Sequence, residues 1–149
     1  MDTTLPRPVR TLLVLLVVVL LAVSIVLGAA LVSGRSPGSW WAQATGHVVV
    51  EHHADAADVP DGERPDWLPA DADEITVVRP GRAAGGATGT RLDARVPQGT
   101  AVPASCAASR RPALPWDGGG DWPDFTAAET LTCDGWHLVA RPHHWYAWS

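Results

Sequence analysis

The chain has 149 residues, room for one ordinary domain once a long apolar segment is set aside. Its formal charge is -5, all 11 basic residues are arginine, and nine carboxylates crowd between Glu51 and Glu74 against the single base Arg64. Such a field repels phosphate backbones and anionic headgroups, so nucleic acid is not an expected partner.

Residues 1–10 are too short to fold and are expected to form a cytoplasmic tail. Residues 11–32, TLLVLLVVVLLAVSIVLGAALV, carry no charge and no proline, and only Thr11 and Ser24 are polar. As a helix these 22 residues would extend roughly 33 Å, enough for a hydrocarbon core of about 30 Å. A helix satisfies its own backbone hydrogen bonds in lipid, and no polar stripe marks this run as a globular core helix. Arg7 and Arg10 precede the run, so the positive-inside tendency leaves the N-terminus in the cytoplasm and exports the rest. A cleaved signal peptide is the competing reading, with Gly28-Ala29-Ala30 as cleavage site. Its apolar stretch usually covers only about 7–15 residues, which favours a retained anchor. In either reading the localisation expected is the cell envelope, with the bilayer contacted through residues 11–32.

Cys106 and Cys133 are the only cysteines, and both lie in the exported part. In an oxidising compartment an even pair in one small domain favours a bridge, and the separation is not the C-x-x-C of an oxidoreductase.

Residues 33–66 read as a linker, rich in Gly, Pro and Ser around Trp40-Trp41 and then acidic. The paired tryptophans either rest at the headgroup level or cover the underside of the domain. Residues 47–51, HVVVE, are β-prone but lead straight into the acidic stretch, so the ordered domain is expected over 67–149. Residues 67–75 should make a turn delivering the chain into a strand, EITVVR over 74–79. Leu92, Ala94 and Val96 alternate with Arg91, Asp93 and Arg95, a period-2 strand with one wet face that should pair with it as a hairpin. Residues 102–108 suggest a short helix or turn, and 110–123 a surface loop anchored by Trp116 and Trp122. Asp134-Gly135 between two β-prone runs signals a type I′ hairpin, and Arg141-Pro142-His143 separates a final run, 144–148. Trp136, Leu138 and Ala140 should share one face of the middle strand. Four or five strands and one or two short helices are expected: a small α+β, mostly antiparallel β, domain stapled by one disulfide behind an N-terminal transmembrane helix.

Signals for chemistry are sparse. His52-His53 and His143-His144, with His47 and Glu51, offer imidazole and carboxylate groups suited to zinc or copper. Neighbours in a strand point to opposite faces, and no H-x-x-x-H or H-E-x-x-H spacing occurs, so solvated histidines are the simpler reading and no metal or cofactor is assigned. Eight tryptophans suit either core filling or an aromatic groove; Trp136, Trp145, Tyr146 and Trp148 are the candidate partner surface. The glycine-rich residues 81–89 lack the G-K-[ST] ending of a phosphate loop, and no serine-nucleophile motif is present. Ser24-x-x-x-Gly28 is a small-x-x-x-small pattern that could seat a second helix.

Trp67-Leu68-Pro69-x-x-Ala72-x-x-Ile75, Cys106, Cys133-Asp134-Gly135-Trp136 and Trp145-Tyr146-Ala147-Trp148 together resemble a group of small actinobacterial single-pass, membrane-anchored proteins of unknown function. The resemblance spans residues 67–148 and implies the same disulfide and sheet. It implies no activity and assigns no functional residue. The function expected is therefore a non-enzymatic, anchored envelope module contacting another envelope protein or a wall component, with small-ligand or metal binding at His47, His52, His53, His143 and His144 as the alternative.

Overall fold

The computed structural model describes the backbone at residues 7–33, 37–110, 122, 123, 125 and 128–149; within the first helix, side chains are described at residues 9, 11–25 and 28. Most of the loop expected over 110–123, Trp116 included, lies outside the described residues.

Helix α1, Arg7–Ser33, contains the whole apolar run. Every described side chain on it is exposed, and those of its leucines, isoleucine and valines from Leu12 to Ile25 are 45–70% open. The side chains described without a break cover residues 11–25, and among the described residues no helix is long and apolar enough to cross a membrane. A second helix, α2, Pro37–Ala44, occupies the segment expected to be linker. Proline is pre-organised for a first turn, and Gly46, at φ +73°, lets the chain turn away at the other end.

The rest is one antiparallel sheet of seven strands: β1 Val48–Asp55, β2 Asp73–Pro80, β3 Arg91–Arg95, β4 Ala107–Ser109, β5 Thr130–Cys133, β6 Trp136–Arg141 and β7 His144–Trp148. Their order, β1-β2-β3-β7-β6-β5-β4, is that of two meanders joined edge to edge through β3 and β7. The expected hairpin of β2 with β3 is present, with Glu74 at φ +47° where the register shifts between Asp73 and Thr76. Asp134 and Gly135 both take positive φ, as a type I′ turn requires, and they link β5 to β6.

Two strands exceed the expectation. The turn expected around Cys106 is present, closed by the Cys106 N–H donating to the Pro103 carbonyl at 3.0 Å, but it leads into an added strand, β4, and β1 lies within the presumed linker. The acidic stretch after β1 is also ordered. Asp55 accepts hydrogen bonds from the backbone N–H of Ala57 and Asp58, capping a short 3-10 turn. That turn drives Ala56 and Val59 into the core at 2% exposure each. Asp55, Asp58, Asp61, Asp66 and Asp71 are exposed while these small apolar residues do the packing, which composition alone could not reveal.

The sheet has two unlike faces. On the inner face Ile75, Val77, Leu92, Ala94, Leu138 and Trp145 are buried beneath residues 56–72, chiefly Ala56, Val59, Leu68 and Ala72. Trp67 pins this cover: its indole N–H donates to the Cys133 carbonyl at 3.1 Å, and its ring lies 6.1 Å from that of Trp145. Cys106 and Cys133 form the expected disulfide, tying the start of β4 to the end of β5. On the outer face a separate cluster gathers Phe125, Val139 and Trp148, with Trp122, Ala128 and Tyr146 packed against it.

Candidate functional site

Strand register decides which polar side chains meet. On the outer face the partners His52–Thr76, Thr76–Asp93, Asp93–Tyr146 and Tyr146–Val139 run as one row across β1, β2, β3, β7 and β6. The next row, towards the far end of β1, places Arg95 beside His144 and His144 beside Arg141. Where the rows meet, an open groove of about 540 Å³ is lined by His52, His53, Glu74, Thr76, Asp93 and His144.

Two polar couples occupy it. His144 Nε2 lies 3.0 Å from an Asp93 carboxylate oxygen, and His52 Nδ1 lies 3.2 Å from the Thr76 hydroxyl. The His144 ring packs at 4.7 Å on Tyr146, which in turn touches Phe125. Burial first, and then the Asp93 carboxylate, push the Tyr146 hydroxyl above its ordinary pKa, with Arg141 pulling the other way. Arg141 lies over both Phe125 and Tyr146, and Arg91, only 3% exposed, lies 4.7 Å over Trp122. The groove is thus acidic and imidazole-rich, and the aromatic, guanidinium-covered cluster lies beside it on the same face. The groups lining it can form hydrogen bonds and pair charge.

The histidines of the alternative ligand-binding reading are dispersed. The pleat sends His52 to the groove and His53 towards the inner face, where its Nε2 lies 3.8 Å from Glu51. Arg79 bridges Glu51 and Glu63 beside it, so this second cluster is largely charge-balanced. His47 is exposed beyond α2 and contacts the Thr45 hydroxyl at 2.9 Å, while His143 sits exposed in the turn between β6 and β7. Only His52, His53 and His144 of that set line the groove, and among the described residues no group of three His, Cys, Asp or Glu is disposed to hold a metal ion.

The aromatic residues of the last strands are mostly inside. Trp145 and Trp148 are each 2% exposed, on opposite faces, and Trp136 is partly buried against the inner core. Tyr146 alone of the four contributes to the groove's surroundings. Among the described residues the open tryptophans are instead Trp40 and Trp41, at 47% and 65%. Asp93, Thr76 and Glu74 were not singled out from sequence. The alternation over 91–96 does place Asp93 on a wet face, but only the pairing of β3 with β7, 51 residues apart at Asp93 and His144, gives it a partner.

Comparison of the chain with protein-family models, with curated proteins and with solved structures finds no match.

Proposed function

We propose that the protein is a membrane-anchored, non-enzymatic module of the cell envelope, with α1 in the bilayer and the disulfide-tied sheet held outside the cytoplasm against a protein or wall partner. The observation that carries this reading is the exposure, on every side of α1, of a run of leucine and valine side chains. Full burial of one such side chain is worth about 1.5–3 kcal/mol, so even half-exposed ones sum to on the order of 10 kcal/mol of unfavourable hydration. Lipid removes that cost. The sequence continues the apolar run through residues 26–32 within the same 27-residue helix. Arg7 and Arg10 at its start set the orientation, and the Cys106–Cys133 bridge fits an oxidising compartment. Kinship with the small actinobacterial anchored proteins belongs to the same proposal.

A topology assay tests it. A periplasmic-type reporter fused after Ser149 should be active, and alkylation of native cells without reductant should leave both cysteines unlabelled. A reporter active only in the cytosol, or two free thiols, would overturn the reading. Cross-linking of the full-length protein in intact cells should then recover one reproducible partner or wall fragment, and recovery of none would count against the interaction role.

A second reading is favoured by one observation, the groove that brings His52, Thr76, Asp93 and His144 together. In it the groove takes a small polar ligand or a divalent cation. Titration with zinc or copper should raise the melting temperature of the wild type and not of His144→Ala; flat titrations of both would remove this reading.

A further inference from the structure

Trp40 and Trp41 sit on α2 with much of their surface open, so neither covers the underside of the sheet. Val49, on strand β1, is open as well, at 41%. A groove of about 390 Å³ between the end of α2 and β1 is lined by Gln43, Val48, Val49, Val50, Gly81 and Arg82. Exposed aromatic and aliphatic groups beside a guanidinium make a surface suited to a phospholipid headgroup layer, where amphipathic rings and cations both gain.

This corner is rigidly part of the sheet. The Thr45 hydroxyl and N–H both donate to the Trp41 carbonyl, and His47 N–H donates to Ala42, closing the end of α2. From there Gly81 N–H donates to the His47 carbonyl at 2.7 Å and Ala83 N–H to that of Gly46 at 3.0 Å. The two strands approach so closely that a Cβ on Gly81 would stand 2.2 Å from the Gly46 oxygen. An orientation imposed on α2 is therefore imposed on β1 and β2.

The position of the acids points the same way. β1 leads away from α2, and seven steps of ~3.3 Å place Asp55 and its partner Asp73 about 23 Å from Val48. That is well over two Debye lengths at physiological salt, about 8 Å each. Asp55 and Asp73 thus sit at the distal end, and Asp61, beside Glu63, is paired with Arg64. Glu51 and Glu63, nearer to α2, are paired with Arg79.

We infer that α2 is an interfacial helix: Trp40 and Trp41 dock on the phospholipid headgroup layer, and the Gly46–Gly81 contact transmits that docking so that the sheet stands on the membrane at a fixed angle, Asp55 and Asp73 outward. The inference rests on the reading of α1 as the anchor. The lipid is the natural occupant because the end of α1 and the start of α2 are four residue steps apart, at most about 15 Å of chain.

The test reconstitutes the full-length protein and its W40F/W41F variant in phosphatidylcholine–phosphatidylglycerol vesicles carrying a nitroxide on the headgroup or deep in the acyl chain. Flotation after alkaline washing reads the anchor; tryptophan quenching reads the docking. Two of the eight tryptophans are removed in the variant, so headgroup quenching of the wild type should exceed that of the variant by up to about a quarter of total emission. Both proteins should float and melt at the same temperature, since phenylalanine keeps the apolar contact. Flotation with equal headgroup quenching in the two proteins would overturn the docking and leave the anchor standing. Loss of flotation in both would overturn the anchor and the docking with it.

Discussion

On the inner face of the sheet, Ile75, Val77, Leu92, Leu138 and Trp145 lie sealed under a cover that Trp67 pins to the Cys133 carbonyl. On the outer face, an aromatic cluster around Phe125 and Trp148 covers only part of the strands, and the row His52, Thr76, Asp93 stays wet beside it. The same strands supply both faces, because the pleat alternates side chains, yet only the outer one can present polar groups at no desolvation cost. The sealed core and the exposed polar row are thus divided between faces of one sheet.

That division can be broken most directly from inside. Trp145→Ala should destabilise the fold by about 3–5 kcal/mol, the range for truncating a buried aromatic, read from urea unfolding followed by circular dichroism. The Trp67 ring would lose its neighbour as well. A loss below about 1 kcal/mol would mean that the inner face is not the principal core. Removing the staple comes next: the Cys106→Ser/Cys133→Ser pair should cost about 3–4 kcal/mol for a closed loop with 26 residues between the sulfur-bearing positions. The wild type in reductant should match it. A reduced wild type as stable as the oxidised one would show that packing alone holds β4 to β5.

On the outer face the expected effects shrink. Phe125→Ala removes a 7%-exposed ring that stacks on Trp148 and touches Tyr146 and Trp122. Trp122 and Tyr146 beside it are partly open, so the cost should fall at or just below the lower end for aromatic truncation, about 2–3 kcal/mol by urea unfolding. If Phe125→Ala proved as costly as Trp145→Ala, the two faces would be equal partners in stability. His52→Ala, in the wet row, should move stability by no more than about 0.5 kcal/mol, as for most surface positions.

Legibility in the sequence followed the same line between local and distant information. The Asp134-Gly135 turn, the alternation over β3 and the shared face of Trp136, Leu138 and Ala140 depend on neighbours in the chain, and all are where the pattern placed them. β1 and its cover were hidden because nine acids outweighed the few apolar residues, Val59 among them, that do the packing. α2 was hidden by Pro37, Gly38 and Ser39, which read as linker although proline also opens helices. The candidate groove was not legible at all. It needs β1, β2, β3 and β7 in register, and no local pattern states which strands from the two meanders will meet.

The finest probe of the comparison is proton binding at opposite ends of the pH scale. Tyr146, against the aromatic cluster, has its hydroxyl pKa raised above 10.0 by burial and by Asp93, so on alkaline titration the unfolded chain ionises first. Stability should be full below pH 10 and fall as pH rises through the higher folded value, a loss that Tyr146→Phe should remove. Asp73 behaves oppositely. The hydrogen bonds from Arg95, at 2.6 and 2.8 Å, hold its carboxyl below the ordinary 3.8, so its contribution is present above that pH and lost as pH falls through the lower folded value. The Asp73–Arg95 pair is open to solvent and screened, so Asp73→Asn should change the acid limb only slightly, and less in high salt. An alkaline limb that survives in Tyr146→Phe would show that the aromatic side of the outer face is as wet as the groove beside it, and would erase the distinction between them.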